Sequence, residues 1–142
     1  MIRLGEKIIY RPEIEVPYIC RDTLTGLWVQ FFRYGQYKLI VLHKHNSLPS
    51  MRPYIPLAFV GGSLSLLLLS LFHYYFFSAF LVIMLTYFGL NIALSVLIAI
   101  QKRDLSLLGL PVVFCVLHFS YGTGELFGLK KLLTNWLRRV MA

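Results

Sequence analysis

The sequence predicts a mainly α-helical membrane protein with a short β segment, and three observations lead to this fold class. Of its 142 residues, 58% are hydrophobic and only 14% are charged, so the chain is more apolar than an ordinary soluble domain. No Asp, Glu, Lys or Arg occurs from Pro53 to Gln101, and eight of the 14 basic residues precede this run while six follow it. Two buried helices of a soluble protein are the alternative, but the remaining residues are too few to cover both helices.

Residues 1–21 are predicted to contain two short extended segments. An apolar run after Gly5 ends at Pro12, and charged and apolar residues then alternate from Glu13 to Val16, which is typical of a strand. Two short strands do not make a stable domain by themselves. The segment also carries charges of both signs and has no long apolar core, so we do not expect a signal peptide here.

Residues 22–46 are predicted to form an amphipathic helix at the membrane interface, with Asp22 or Thr23 as its N-cap. Polar side chains at spacings of three and four share one face of this helix: Gln30, Arg33 and Tyr37. Another face is apolar: Leu24, Leu27, Trp28, Phe31, Leu39 and Leu42. Such a helix can lie along the membrane surface and direct its polar face toward the cytoplasm or into a cleft.

Residues 53–129 are predicted to form a membrane domain that begins with a helical hairpin. Spans are expected at about 55–72 and 76–100, because each segment is apolar and long enough for a hydrocarbon core of about 30 Å at about 1.5 Å per residue. The short loop between them, residues 73–75, carries two tyrosines, which favour the membrane interface. We therefore expect two antiparallel transmembrane helices.

A third membrane segment is predicted at 105–124, and a basic amphipathic tail at 130–142. The third segment is long enough for one crossing, but Pro111 and three glycines favour a bent or re-entrant path as the alternative. A full crossing would also place the basic tail on the outside, against the positive-inside rule. The tail separates apolar from basic side chains, which is typical of a helix in the headgroup region.

The distribution of basic residues predicts the orientation. Lys44 and Arg52 precede the first span, Lys102 and Arg103 follow the second, and the hairpin tip carries no basic residue. Both flanks are therefore expected in the cytoplasm, which makes the chain a multi-pass protein of the inner (plasma) membrane with a cytoplasmic N-terminus. The net charge of +8 is concentrated at the predicted membrane edges, so the expected partner is the lipid bilayer and not nucleic acid.

The segment "QFFRY", residues 30–34, resembles the Q-x-x-R-W motif of membrane-bound family 2 glycosyltransferases, with Tyr34 in place of Trp. The order of the surrounding segments is also similar to these enzymes: "RLGEKIIYRPEIEV", then the aromatic helix, then "SMRPYIPLAF", and finally "LHFSYGTGELFGL". The resemblance covers nearly the whole chain. It is to the carboxy-terminal third of transferases of the succinoglycan-synthesis type, which assemble bacterial surface polysaccharides.

This resemblance implies that Gln30, Arg33 and Tyr34 bind substrate beneath a nucleotide-sugar site, where the acceptor approaches. The amide would hydrogen-bond to substrate, the aromatic ring would stack on a sugar, and the planar guanidinium suits paired phosphate oxygens. The alternative is that Gln30 and Arg33 form the solvated face of an interfacial helix, with Arg33 bound to lipid phosphate.

His118 is a further candidate, because it lies within an apolar stretch and its "HFSYG" segment matches the resembled family. A polar side chain in such a stretch usually faces protein or water. The alternative is a packing residue that hydrogen-bonds to Ser120 or Tyr121.

The resemblance also implies that residues 1–21 are the end of a cytoplasmic GT-A-like domain. The donor and metal motif (Asp-x-Asp) and the acidic catalytic base of such enzymes lie upstream of the matching region. The six acidic residues include no paired metal site, so neither a catalytic residue nor a metal ligand is predicted. The chain is expected to hold no cofactor, although a complete enzyme would use Mg²⁺ or Mn²⁺.

Two functions remain open. The chain is either the membrane and acceptor-side portion of a glycosyltransferase, inactive without a catalytic domain, or a noncatalytic membrane anchor or partner subunit. In the first case a nucleotide-sugar donates the sugar and a lipid-linked or polysaccharide acceptor receives it. An adjacent upstream reading frame that encodes Asp-x-Asp and the acidic base would favour the first.

Overall fold

The protein is mainly helical in the residues that the computed structural model describes, which are 20–45 and 54–141. These residues form four α-helices and one 3-10 helix, in chain order α1 (Leu24–His45), α2 (Ile55–Leu69), α3 (Tyr74–Lys102), the 3-10 helix (Leu105–Gly109) and α4 (Leu110–Val140). The described residues contain no β-strand, and the predicted extended segments lie almost entirely outside them. The prediction of a mainly helical fold is confirmed.

Helix α1 begins where the sequence predicts. The Gly26 backbone N–H donates a hydrogen bond to the Thr23 hydroxyl oxygen at 3.1 Å. Thr23 therefore satisfies one of the first N–H groups, which have no partner within the helix itself. The predicted N-cap is confirmed at Thr23.

Helix α2 is shorter than the predicted span at 55–72. It ends at Leu69 after 15 residues, or about 22 Å at 1.5 Å per residue. The Ser70 hydroxyl donates to the Leu67 carbonyl at 2.6 Å, and the His73 N–H still reaches back to the Leu69 carbonyl at 3.3 Å. These bonds turn the chain, so residues 70–72 leave the helix and the prediction of a full-length first span is wrong.

The loop between α2 and α3 also differs from the prediction. Tyr74 and Tyr75 belong to the first turn of α3, and extended His73 precedes them. The rings of Phe59 in α2 and Tyr87 in α3 are 4.7 Å apart. These two residues lie at similar distances from the turn, so α2 and α3 run antiparallel.

Two helical regions in the described part of the chain are long and apolar enough to cross a membrane: α3, with 29 residues, and the 34 residues from Leu105 to Arg138. The short α2 falls below that length. Most of the side chains on α3 are exposed, whereas those from Leu105 to Arg138 are a mixture of exposed and partly or fully buried side chains.

A compact turn joins α3 to the 3-10 helix. Arg103 closes α3 with a left-handed backbone conformation (φ 55°). The Ser106 backbone N–H then donates to the Asp104 carboxylate at 2.9 Å. Hydrogen bonds from the Ser106 side chain and backbone lower the pKa of Asp104, so this cap stays charged at neutral pH.

Helix α4 is continuous where the sequence predicts a membrane segment at 105–124 and a separate tail. Pro111 lies in its first turn, where a missing N–H costs nothing. Gly122, Gly124 and Gly128 each meet a neighbouring helix closely and do not interrupt α4, whereas Gly109 lies in the 3-10 helix before it. One continuous helix therefore contains most of the predicted membrane segment and most of the predicted tail.

The interior of the described bundle is small and polar, whereas its surface is apolar. Val60 and Ala99 are its buried apolar side chains. Its buried polar side chains are Ser63, Asn91, Ser95, Ser120 and Glu125. Soluble domains show the opposite arrangement, and small residues at helix contacts with large apolar residues outside are typical of helices packed in lipid.

Candidate functional site

Helix α1, which carries the QFFRY segment, is positioned by its contact with α4. This is the most extensive helix–helix interface among the described residues. A Cβ atom on Gly35 would overlap the Tyr121 carbonyl oxygen, and one on Gly124 would overlap the Phe32 carbonyl oxygen. A Cβ on Gly128 would come within 2.6 Å of the Gln36 carbonyl oxygen. The two backbones therefore touch, and no side chain fits between them.

The glycine contacts also give the direction in which α1 lies on α4. Phe32 meets Gly124 and Gln36 meets Gly128, so the contact advances by four residues along both chains and the helices run parallel. Gly35 lies at the centre of the predicted apolar face of α1. The aromatic rings of Trp28 and Phe31, on the same face, remain partly exposed. Leu39 and Leu42, also predicted for this face, lie outside the described side chains. The structure thus packs α1 lengthwise on α4.

The three residues predicted to bind substrate lie together on the outer side of α1. They line an open groove of about 520 Å³, here called the Arg33 groove, which consists of Arg21, Thr25, Gly26, Val29, Gln30, Arg33 and Tyr34. The Gln30 side-chain amide donates to the Tyr34 hydroxyl at 3.0 Å. This bond orients the amide and the ring relative to each other.

The Arg33 groove is electropositive and accessible. Arg21 and Arg33 supply its charges, and no carboxylate is among its described lining residues. Tyr34 is 53% exposed, so its ring can contact a ligand. Two guanidinium groups, an oriented amide and an aromatic ring can together bind an anionic group next to a flat one.

A second cavity of about 350 Å³ adjoins this groove and is called the tyrosine cavity. Its lining residues are Tyr34, Tyr37, Lys38, Val41 and Tyr121. Tyr34 belongs to both cavities, so they are neighbours on α1. Sequence reasoning missed this cavity because Tyr121 reaches it from α4, a helix far away in the chain.

His118 lies apart from both cavities. Its Nδ1 is 3.0 Å from the Tyr87 hydroxyl oxygen of α3, and its ring stacks near Phe114. The hydrogen-bond partner is therefore neither Ser120 nor Tyr121, the two partners that the packing alternative proposed. The sequence does not reveal this partner, because Tyr87 is 31 residues away from His118 in the chain.

Glu125 is the polar residue that sequence reasoning overlooked. Its side chain is 0% exposed, and neither carboxyl oxygen has a hydrogen-bond partner among the described residues. The available signal was its position between Gly124 and Gly128, since two small residues four apart on an apolar helix indicate a helix contact. An acidic residue beside such a contact is expected to be buried.

Within the described part of the chain, no group of three or more His, Cys, Asp or Glu side chains could hold a metal ion. Comparison of the chain with family models, with curated proteins and with solved structures gives no significant match.

Proposed function

We propose that this chain is the membrane and acceptor-side portion of a family 2 glycosyltransferase, with Gln30, Arg33 and Tyr34 facing the nucleotide-sugar. The observation that carries the proposal is the Arg33 groove. Three of the five residues of the QFFRY segment, Gln30, Arg33 and Tyr34, line it together with a second arginine, Arg21.

The chemistry of the groove suits the diphosphate of a nucleotide-sugar. A guanidinium donates two parallel hydrogen bonds to phosphate oxygens, and a second positive charge nearby strengthens that binding. The Tyr34 ring offers a stacking surface for a sugar. Gln30 is held against Tyr34 at 3.0 Å, which favours a defined orientation of its amide toward the acceptor.

In this proposal α3 crosses the inner (plasma) membrane and the lipid bilayer covers its apolar surface. Lys102 and Arg103, at the end of α3, face the cytoplasm, as the positive-inside rule predicts. The N-terminal segment lies on the same side, where nucleotide-sugars are available. A catalytic domain supplies the divalent cation site and the acidic base.

The experiment uses the full chain in lipid nanodiscs and measures binding of UDP and GDP by isothermal titration calorimetry. Arg33→Ala should weaken binding by about 10- to 100-fold, because a charged hydrogen-bonding contact contributes about 1.5–3 kcal/mol. Arg138→Ala is the matched control, since Arg138 is exposed on α4 and lies outside the groove.

Equal affinities for the two variants, or no measurable binding by the unaltered chain, would contradict the proposed role. Either result would favour the second function, a noncatalytic anchor or partner subunit. That alternative needs only the close α1–α4 contact and the apolar helices, and assigns Arg33 to lipid phosphate.

A further inference from the structure

Glu125 is a charged residue type in a place where charge is costly. It lies on α4 between the glycines that contact α1, with its side chain fully buried. A carboxylate removed from water without a partner is strongly unfavourable. Acidic residues within apolar helices therefore pair with another group or serve a function.

Three polar groups, on α1, α2 and α4, lie near Glu125. Lys38 of α1 and the Leu57 backbone N–H of α2 are close to its carboxyl group, and Lys38 lines the tyrosine cavity together with Tyr121. Tyr121, one turn earlier on α4, brings its phenol close to the same carboxyl group. The Leu57 N–H lies near the carboxyl group but makes no complete hydrogen bond, because neither oxygen has a partner within bonding geometry.

Lys38 is the one of these three groups that carries a positive charge. It follows Gly35 by three residues and so lies on the same side of α1. A Cβ on Gly35 would be 3.0 Å from the Glu125 backbone nitrogen, so the glycine contact brings this side of α1 next to Glu125. The flexible four-carbon stem of lysine allows its ammonium group to turn toward the carboxylate.

We propose that Lys38 is the counter-ion of Glu125 and that this charge pair fixes α1 on α4. Glu125 is then a positioning residue: it acts through Lys38 on the helix that carries the Arg33 groove. Only this link to the groove rests on the proposed function, because the pair itself requires nothing beyond the helix contact.

A double-mutant cycle tests the pair by reversible unfolding of the full chain in mixed micelles. Lys38→Met should reduce the folding equilibrium constant by at least about 10-fold, since it leaves a buried carboxylate without its counter-ion. Glu125→Gln should cost much less, because the remaining lysine can extend to water. The double variant should return to within about 3-fold of the unaltered chain, since replacement of both members of a buried pair is often neutral.

Lys130→Met is the matched control, because Lys130 is an exposed lysine on α4, and Glu125→Gln should not rescue it. If Lys38→Met fails to accumulate in membranes, recovery of its accumulation by Glu125→Gln is the readout that replaces unfolding. Additive effects of the two substitutions, or a Glu125→Gln loss as large as that of Lys38→Met, would overturn the pairing. None of these measurements uses nucleotide binding, so this proposal and the Arg33 role can fail independently.

Discussion

Tyr87 is the residue through which three helices meet. Its ring, on α3, contacts Phe59 of α2 at 4.7 Å and Phe119 of α4 at 6.1 Å between centroids. Its hydroxyl oxygen is 3.0 Å from the His118 ring nitrogen and 3.9 Å from the Cys115 sulfur. The Tyr87 side chain therefore makes both the aromatic contacts and the hydrogen bond, and different substitutions can remove them one at a time.

Tyr87→Phe keeps the ring contacts and removes the hydroxyl, so it should lower the free energy of unfolding by about 0.5–1.5 kcal/mol. Tyr87→Ala should cost more, because it also removes the ring packing. Combining Tyr87→Phe with His118→Ala should give less than the sum of the single losses, by at least about 0.5 kcal/mol in unfolding experiments. Strictly additive losses would show that the two side chains do not interact.

At this scale, the sequence reveals residues whose role depends on their own chemistry or on near neighbours. The sequence identifies Thr23 as a candidate helix cap, and it groups Gln30, Arg33 and Tyr34, which line one groove in the structure. Their substrate-binding role stays a prediction. Lys38 has no local signal that relates it to Glu125, because the proposed pair joins segments that are far apart in the chain.

The contact between α1 and α4 shows how a helix pair depends on residues without side chains. Gly35 of α1 and Gly124 of α4 each face a backbone carbonyl of the other helix. Such close approach increases van der Waals contact along both backbones. The intrinsic weakness of glycine in a helix is thereby offset by tertiary packing.

Gly35→Ala and Gly124→Ala should each lower the free energy of unfolding by about 1–3 kcal/mol, the usual range for overpacking. Gly62→Ala and Gly89→Ala are matched controls, because a Cβ at either position meets nothing within 4 Å. These controls should be neutral or stabilising by up to about 1 kcal/mol, as alanine favours helix. Thermal unfolding in detergent measures all four, and equal effects at contact and control glycines would exclude the close approach.

At the element scale, the lengths of the apolar runs predict the bounds of the helices more accurately than the positions of glycine and proline do. Helix α3 includes the predicted span at 76–100, because a long uniform apolar run has no competing interpretation. The glycines of α4 were interpreted as weak points, although they are the contact surface of a continuous helix. That error arises because a glycine's local preference does not show whether another backbone lies beside it.

The described part of the molecule has an apolar exterior around a small polar interior, and two of its helical regions are long enough to cross a membrane. The composition and the charge-free run predict the long apolar helices without knowledge of any contact, but they do not predict the polar interior. The order in which the helices pack was not predictable, since α1 and α4 come together from opposite ends of the described chain.

If α3 crosses the bilayer, its two ends must lie on opposite sides. His73→Cys and Ser106→Cys, each in a background that carries Cys20→Ser and Cys115→Ser, should therefore react with a membrane-impermeant maleimide from opposite sides of oriented vesicles. Met141→Cys should react on the same side as His73→Cys if α4 also crosses. Labelling of His73→Cys and Ser106→Cys from one side would exclude a crossing by α3.

The α1–α4 contact has a consequence for synthesis of the protein. Gln36 and Gly128, which meet in the folded chain, are separated by 92 positions. At about 5–20 residues per second, a ribosome needs about 5–18 s to cover that distance. Throughout this interval the aromatic and aliphatic side of α1 lacks α4 as its neighbour. We therefore expect this side of the nascent helix to bind a lipid headgroup layer or a chaperone until α4 emerges.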